Sequence, residues 1–147
     1  MLIVAIMNQV DSQYARAVMS SPAQPTIYVV DDDAGVLGSL RFLLETDGFA
    51  VRTFRSGAAL LNTPGSADAD CFAIDYKMPD INGIEVATWM SASNPTVPII
   101  MFTILNLDGF ERAARNAGIC AVVSKGECWT LLKSIETAAA QSHRSIQ

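Results

Sequence analysis

Thr26-Ile27-Tyr28-Val29-Val30-Asp31-Asp32-Asp33 is a mostly β-branched run that stops on consecutive acids. Such a run, apolar at both parities, predicts a strand buried on both faces, as strands of a parallel sheet are. Asp33 is placed to cap a following helix, whose apolar positions Val36, Leu40, Leu43 and Leu44 share one face. Asp47-Gly48 closes that helix.

Outward from this unit the same alternation repeats. Ala50–Phe54 reads as a second strand and Ser56 to Asn62 as a short helix; a polar loop, Thr63 to Asp70, leads to a third strand, Cys71–Asp75. Pro79 and Gly83 mark a turn before a helix carrying Ile84, Ala87 and Met90. Pro98–Phe102 is the expected fourth strand. Asp108 and Glu111 have capping-box spacing for the next helix, which Gly118 stops. Ile119–Val123 is the fifth strand, and Leu131, Leu132, Ile135, Ala138 and Ala139 form the inner face of a last helix. Five strands alternating with five helices predict a single α/β domain around a parallel sheet, with right-handed crossovers.

Composition supports this. The chain has 147 residues, 50% hydrophobic and 17% charged, which excludes a mainly disordered protein. Ten Lys plus Arg against fifteen Asp plus Glu give a net charge of −5, a poor basis for direct nucleic-acid binding. Cys71, Cys120 and Cys128 are too far apart for a CxxC pair and read as reduced thiols of a cytoplasmic protein. No stretch approaches the ~20 apolar residues of a membrane helix.

Ser20-Ser21-Pro22-Ala23-Gln24-Pro25 has the composition of a linker. Before it, Ile3, Met7, Val10, Tyr14 and Ala17 fall on one stripe of a helix, which reads either as a frayed or partly helical tail or as a helix that docks on the domain or joins two copies as a homodimer. The expected organisation is an N-terminal extension and linker over 1–24, the α/β domain over 25–142 and a tail over 143–147.

The polar residues fall at the strand ends. Asp31 and Asp32 follow strand one, Asp75 ends strand three, Thr103 follows strand four and Lys125 comes just after strand five. In a parallel sheet all carboxyl ends share one rim, where open α/β sheets bind ligands. If strands one and three are neighbours, ~4.8 Å apart, three carboxylates meet there and raise one another's pKa. A hard cation relieves this, and oxygen ligands suit Mg²⁺. Strand five lies ~10 Å from strand three, so only a long side chain such as Lys125 reaches back. Metal, carboxylate nucleophile, hydroxyl and ammonium together predict phosphoryl transfer onto an Asp.

These residues resemble the receiver domain of bacterial two-component response regulators. The resemblance is carried by Val29-Val30-Asp31-Asp32-Asp33, by Asp75-Tyr76-Lys77-Met78-Pro79-Asp80-Ile81-Asn82-Gly83, by Pro98-Ile99-Ile100-Met101-Phe102-Thr103, and by Lys125. It implies a doubly wound, flavodoxin-like fold whose five-stranded parallel sheet runs in the order 2-1-3-4-5, flanked by five helices. It further implies Asp75 as phosphoacceptor, Mg²⁺ held by Asp31, Asp32, Asp75 and the backbone carbonyl of Lys77, and Thr103 and Lys125 contacting the phosphoryl group. The donor is then a sensor histidine kinase or phosphotransfer protein. A stand-alone receiver is expected, signalling to a downstream protein by contact and catalysing at most its own phosphorylation and dephosphorylation.

Three positions depart from the family pattern. Ile104 stands where a small residue is usual, and its bulk is expected to crowd the approach to Asp75. Val122 replaces the aromatic switch residue, and Gly126 replaces a Pro. They favour an alternative, a degenerate receiver acting as a phosphorylation-independent interaction module. A hydrolase with an Asp nucleophile would want a second acid where Lys77 stands. A flavin-binding domain would want a phosphate cradle where Asp31-Asp32-Asp33 repels one. Trp89 and Trp129 are expected to pack or to line the surface, and neither is assigned a site.

Overall fold

The computed structural model describes residues 24–64, 68–104 and 109–146. The apolar stripe of residues 3–17 lies outside them, as does Asp108. In chain order the elements are β1 (Thr26–Val30), α1 (Ala34–Thr46), β2 (Ala50–Phe54), α2 (Gly57–Leu61), β3 (Cys71–Asp75), α3 (Gly83–Ser93), β4 (Ile99–Thr103), α4 (Glu111–Asn116), β5 (Ile119–Ser124) and α5 (Cys128–Ile146). All four strand pairs are parallel, and the sheet order is β2-β1-β3-β4-β5.

Strand alternation sorts the core into two layers. Ile27, Val29, Cys71, Ala73, Ile100 and Phe102 face α1 and α5, meeting Leu37, Leu40, Leu44, Leu131, Leu132 and Ile135. Tyr28, Val30, Phe72, Ile74, Ile99 and Met101 face α2, α3 and α4, meeting Leu60, Val86, Ala87, Met90 and Ala114. The three inner strands are therefore apolar at nearly every position, whereas the edge strands β2 and β5 alternate with exposed residues. Each large side chain taken fully out of water contributes ~1.5–3 kcal/mol. Cys71 belongs to this core, where burial pushes its thiol well above the usual range. Trp89 and Trp129 do line the surface, the latter with the Lys133 ammonium 4.5 Å from its ring centroid.

Caps fix where the helices begin. Asp33 accepts from Gly35 N at 2.8 Å and Val36 N at 3.2 Å, Ser56 from Ala59 N at 3.0 Å, and Asn82 from Glu85 N at 2.9 Å. Gly48, at φ +97°, supplies the left-handed turn that leaves α1. The start of α4 differs from the Asp108–Glu111 expectation. The helix begins at Glu111 with Phe110 at its N-cap, and Phe110 makes no side-chain cap bond. β4 also starts one residue later than expected, because Pro98 has no N–H for the ladder; its carbonyl still accepts from Phe72 N at 2.9 Å. Among the described residues no helix is long and apolar enough to cross a membrane.

Candidate phosphoacceptor site

Four of the five strand ends bring the candidate residues onto one rim. Asp31 follows β1 and is fully buried; its N–H continues the ladder to Phe54 O at 3.1 Å. Its Oδ1 accepts from Asp33 N at 2.9 Å, which turns the chain toward α1. Asp33 is spent on the helix cap, leaving Asp31 and the exposed Asp32 to face the rim. Asp75 ends β3 and is 3% exposed. One carboxylate oxygen from each of Asp31, Asp32 and Asp75 lies within 4.8 Å of the others.

Thr103 is the last residue of β4 and buried, rather than the first residue beyond it. β5 runs one residue further than expected, to Ser124, because Lys125 N bonds Thr103 O at 2.9 Å. Lys125 therefore leaves the sheet directly beside Thr103. Its stem passes the Phe102 ring, with Nζ 5.4 Å from the centroid, and its ammonium reaches Asp31 Oδ2 at 2.7 Å and Asp75 Oδ1 at 3.3 Å. The reach back across two strands that only a long side chain can make is what the geometry shows.

The electrostatics follow from burial. Desolvation, then repulsion from Asp31, raises Asp75 from 3.8 to about 6, against the pull of Lys125. Burial works against the Lys125 charge, but Asp31 and Asp75 outweigh it and hold the ammonium above its usual range. Asp31 Oδ2 is buried without a donor in hydrogen-bonding geometry; the Lys125 contact is an ion pair, close but poorly directed. Three carboxylates against one ammonium leave a deficit of positive charge that a hard divalent cation fits.

The remaining expected residue, Lys77, sits exposed on the loop between β3 and α3. That loop is closed tightly. Gly83 N bonds Tyr76 O at 2.7 Å, and a Cβ on Gly83 would lie 2.9 Å from Tyr76 Cα and closer still to the Asp75 carbonyl. Only glycine allows this approach.

Three contacts were not legible in the sequence. Asp80 accepts from Ala58 N at 2.9 Å, tying the loop to the start of α2, and its backbone donors hold its carboxyl below the usual range. The rings of Tyr76 and Phe110 meet edge to face at 4.6 Å, linking the residue after Asp75 to the N-cap of α4. Arg55 donates to Asp32 O at 3.4 Å. Each joins residues far apart in sequence, so no local pattern marks it. Ile104, expected to crowd the approach to Asp75, is 73% exposed. Val122 is half-buried against the α2–α4 layer.

Comparison with known proteins agrees with this geometry. A 77-residue stretch is 39% identical to the transcriptional regulatory protein FixJ of Bradyrhizobium diazoefficiens, covering 52% of this chain and 38% of that protein. The chain thus spans less than half the length of the curated relatives it matches. A beryllofluoride-activated receiver domain of DrrB from Thermotoga maritima superposes with a TM-score of 0.72 at 26% identity, covering 79% of this chain and 97% of that one. A CheY-like receiver domain protein from Methanospirillum hungatei, 23% identical, shares the fold with a TM-score of 0.74 over 84% of this chain and 99% of that one. Residues 27–136 match the family model of the response regulator receiver domain. That match runs from β1 into α5 through every strand end that builds the rim, and the chain belongs to the response regulator receiver domain family of two-component signalling.

Proposed function

We propose that this domain accepts a phosphoryl group on Asp75 in the presence of Mg²⁺, in the cytoplasm, and passes the signal to a downstream protein by contact. The phosphodonor is a phosphohistidine on a sensor histidine kinase or phosphotransfer protein. The observation that carries the reading is the Lys125 ammonium drawn from β5 onto both Asp31 and Asp75.

In the transfer, a carboxylate oxygen of Asp75 attacks phosphorus in line with the imidazole nitrogen. The P–N bond breaks, its electron pair stays on the imidazole, and an acyl phosphate forms. Catalysis of this kind is mostly positioning and neutralisation of charge on the equatorial oxygens. Lys125 and Thr103 stand where they neutralise and orient those oxygens. Asp31, Asp32, Asp75 and the Lys77 carbonyl would hold Mg²⁺, which supplies the remaining positive charge. The domain catalyses only its own labelling and its reversal. With Asp75 raised to about 6, the nucleophile is ionised at neutral pH and increasingly protonated below that value.

The test is to incubate the chain with Mg²⁺ and a small acyl phosphate and follow the gain in mass of one phosphoryl group. The reading expects an acid-stable, base-labile adduct that needs Mg²⁺ and is lost in Asp75→Asn. Equal labelling of the variant would place the acceptor elsewhere.

A further inference from the structure

Four strand ends carry the groups just described; the fifth, that of β2, hands the chain from Phe54 to Arg55. Because β2 lies beside β1, Arg55 stands next to the Asp31-Asp32 turn, with Nη2 3.4 Å from the Asp32 carbonyl oxygen. Three arginines lie on or beside this edge strand, and they differ. Arg41 pairs with Glu45 at 3.0 Å. Arg52 donates to the Tyr28 hydroxyl at 3.1 Å and lies 5.2 Å from that ring's centroid. Arg55 is exposed and makes no ion pair among the described residues, so its charge is left to act on the space over the rim. The acidic cluster is therefore flanked from both sheet edges, by Lys125 in contact and by Arg55 at a distance.

We propose that Arg55 is a specificity-determining residue for the phosphodonor: it draws anionic donors toward Asp75 through space, without touching the transferred group. This rests on the acceptor reading above. The chain carries a net charge of −5, and three carboxylates crowd the rim, so an approaching phosphate is repelled. The guanidinium touches the Asp32 backbone but stands two strand spacings from the end of β3, ~10 Å or about one Debye length at ordinary salt. Through water at low salt, where screening is weak, its attraction is worth roughly two-fold in rate per unit of donor charge. The same charge opposes Mg²⁺. Removing it therefore slows an anionic donor while leaving metal binding as tight or tighter, a combination that damage to the fold does not produce.

The experiment uses the full chain, Arg55→Gln and Arg55→Lys. Labelling kcat/KM is measured with acetyl phosphate, a dianion, and phosphoramidate, a monoanion, at low salt and at about 1 M salt, where screening is nearly complete. Mg²⁺ affinity is measured separately by titration calorimetry. Arg55→Gln should slow labelling by acetyl phosphate about two- to five-fold at low salt and by phosphoramidate less. The difference should vanish at high salt, Arg55→Lys should keep the wild-type rate, and Mg²⁺ should bind Arg55→Gln no more weakly than wild type. Unchanged rates with both donors, an equal slowing with both that persists in salt, or weakened Mg²⁺ binding would overturn the inference while the acceptor reading stands. A wild-type chain that takes no label overturns the acceptor reading, and this inference with it.

Discussion

Strand β3 carries a buried acid at each end, and the two do opposite work. Asp70, just before the strand, is 8% exposed and accepts from Thr26 N at 2.8 Å. It closes the amino-terminal edge of the sheet, where its charge is met by a backbone donor. Asp75, at the other end, is 3% exposed, and its charged neighbours are Asp31, Asp32 and the shared Lys125. Burial is the same; the partners differ. A buried carboxylate satisfied by backbone is a structural part, whereas one that shares a single ammonium with another acid is left short of positive charge.

Removing each acid in turn gives the largest effect. Asp75→Asn should abolish Mg²⁺-dependent labelling and leave the metal-free chain at least as stable, since a repelled buried charge is gone. Asp70→Ala should keep labelling but lose ~1–3 kcal/mol of stability, from the Thr26 N–H left without its acceptor. Urea unfolding of both variants beside the labelling assay checks the pair; loss of labelling in Asp70→Ala at a temperature where it is folded would erase the distinction.

The next effect is in pH. The Asp75 pKa is raised in the folded chain, from 3.8 to about 6, so the folded state holds this proton more tightly than the unfolded one. Metal-free stability from this group is fully present below 3.8 and is lost as pH rises through about 6, a fall of roughly 3 kcal/mol in all. Other acids titrate in the same window with their own signs, so the readout is a difference. The stability of Asp75→Asn relative to wild type should grow between pH 4 and 6.5 and then level off, and saturating Mg²⁺ should shrink it. A pH-independent difference would mean that the burial and repulsion acting on Asp75 have been misjudged.

Gly83→Ala comes third. The added methyl meets main chain at Asp75 and Tyr76 rather than a movable side chain. It should cost ~1–3 kcal/mol and slow labelling, since the loop that follows the acceptor has to shift. Gly38→Ala, in α1 with open space around its Cβ, is the control and should stabilise slightly.

The smallest effect concerns the Tyr76–Phe110 pair. A double-mutant cycle with Leu at each position should return about 0.5–1.5 kcal/mol of coupling in the resting chain. If the pair responds to phosphorylation of its neighbour Asp75, coupling should change when a beryllofluoride mimic of the phosphoryl group is bound. Identical coupling in both states would leave the pair as packing alone.

What could be read from the sequence was whatever a local pattern encodes. The apolar runs at 26–30 and 71–75 are both two-sided and both turned out to be inner strands, and the acids that end them land on one rim because parallel strands point the same way. Lys125 was legible for the same reason, since strand spacing dictates how far it must reach. Leu37 was missed beside Val36, because a helix face is wide enough to admit either, and packing buries Leu37 more deeply. Asp80 on α2, Phe110 on Tyr76 and Arg55 beside Asp32 depend on how separate elements pack.

Phosphoryl acceptance by this domain comes down to one covalent bond, between phosphorus and a carboxylate oxygen of Asp75. Borohydride reduces an acyl phosphate, but not a free carboxylate, to an alcohol. The decisive measurement is therefore to label the chain with acetyl phosphate and Mg²⁺, reduce it, digest it and sequence the peptide spanning 71–82 by mass spectrometry. Homoserine is expected at position 75 in the labelled sample and aspartate there when Mg²⁺ is withheld. An intact aspartate at 75 in a sample that has gained phosphate, or homoserine at another position, would contradict it.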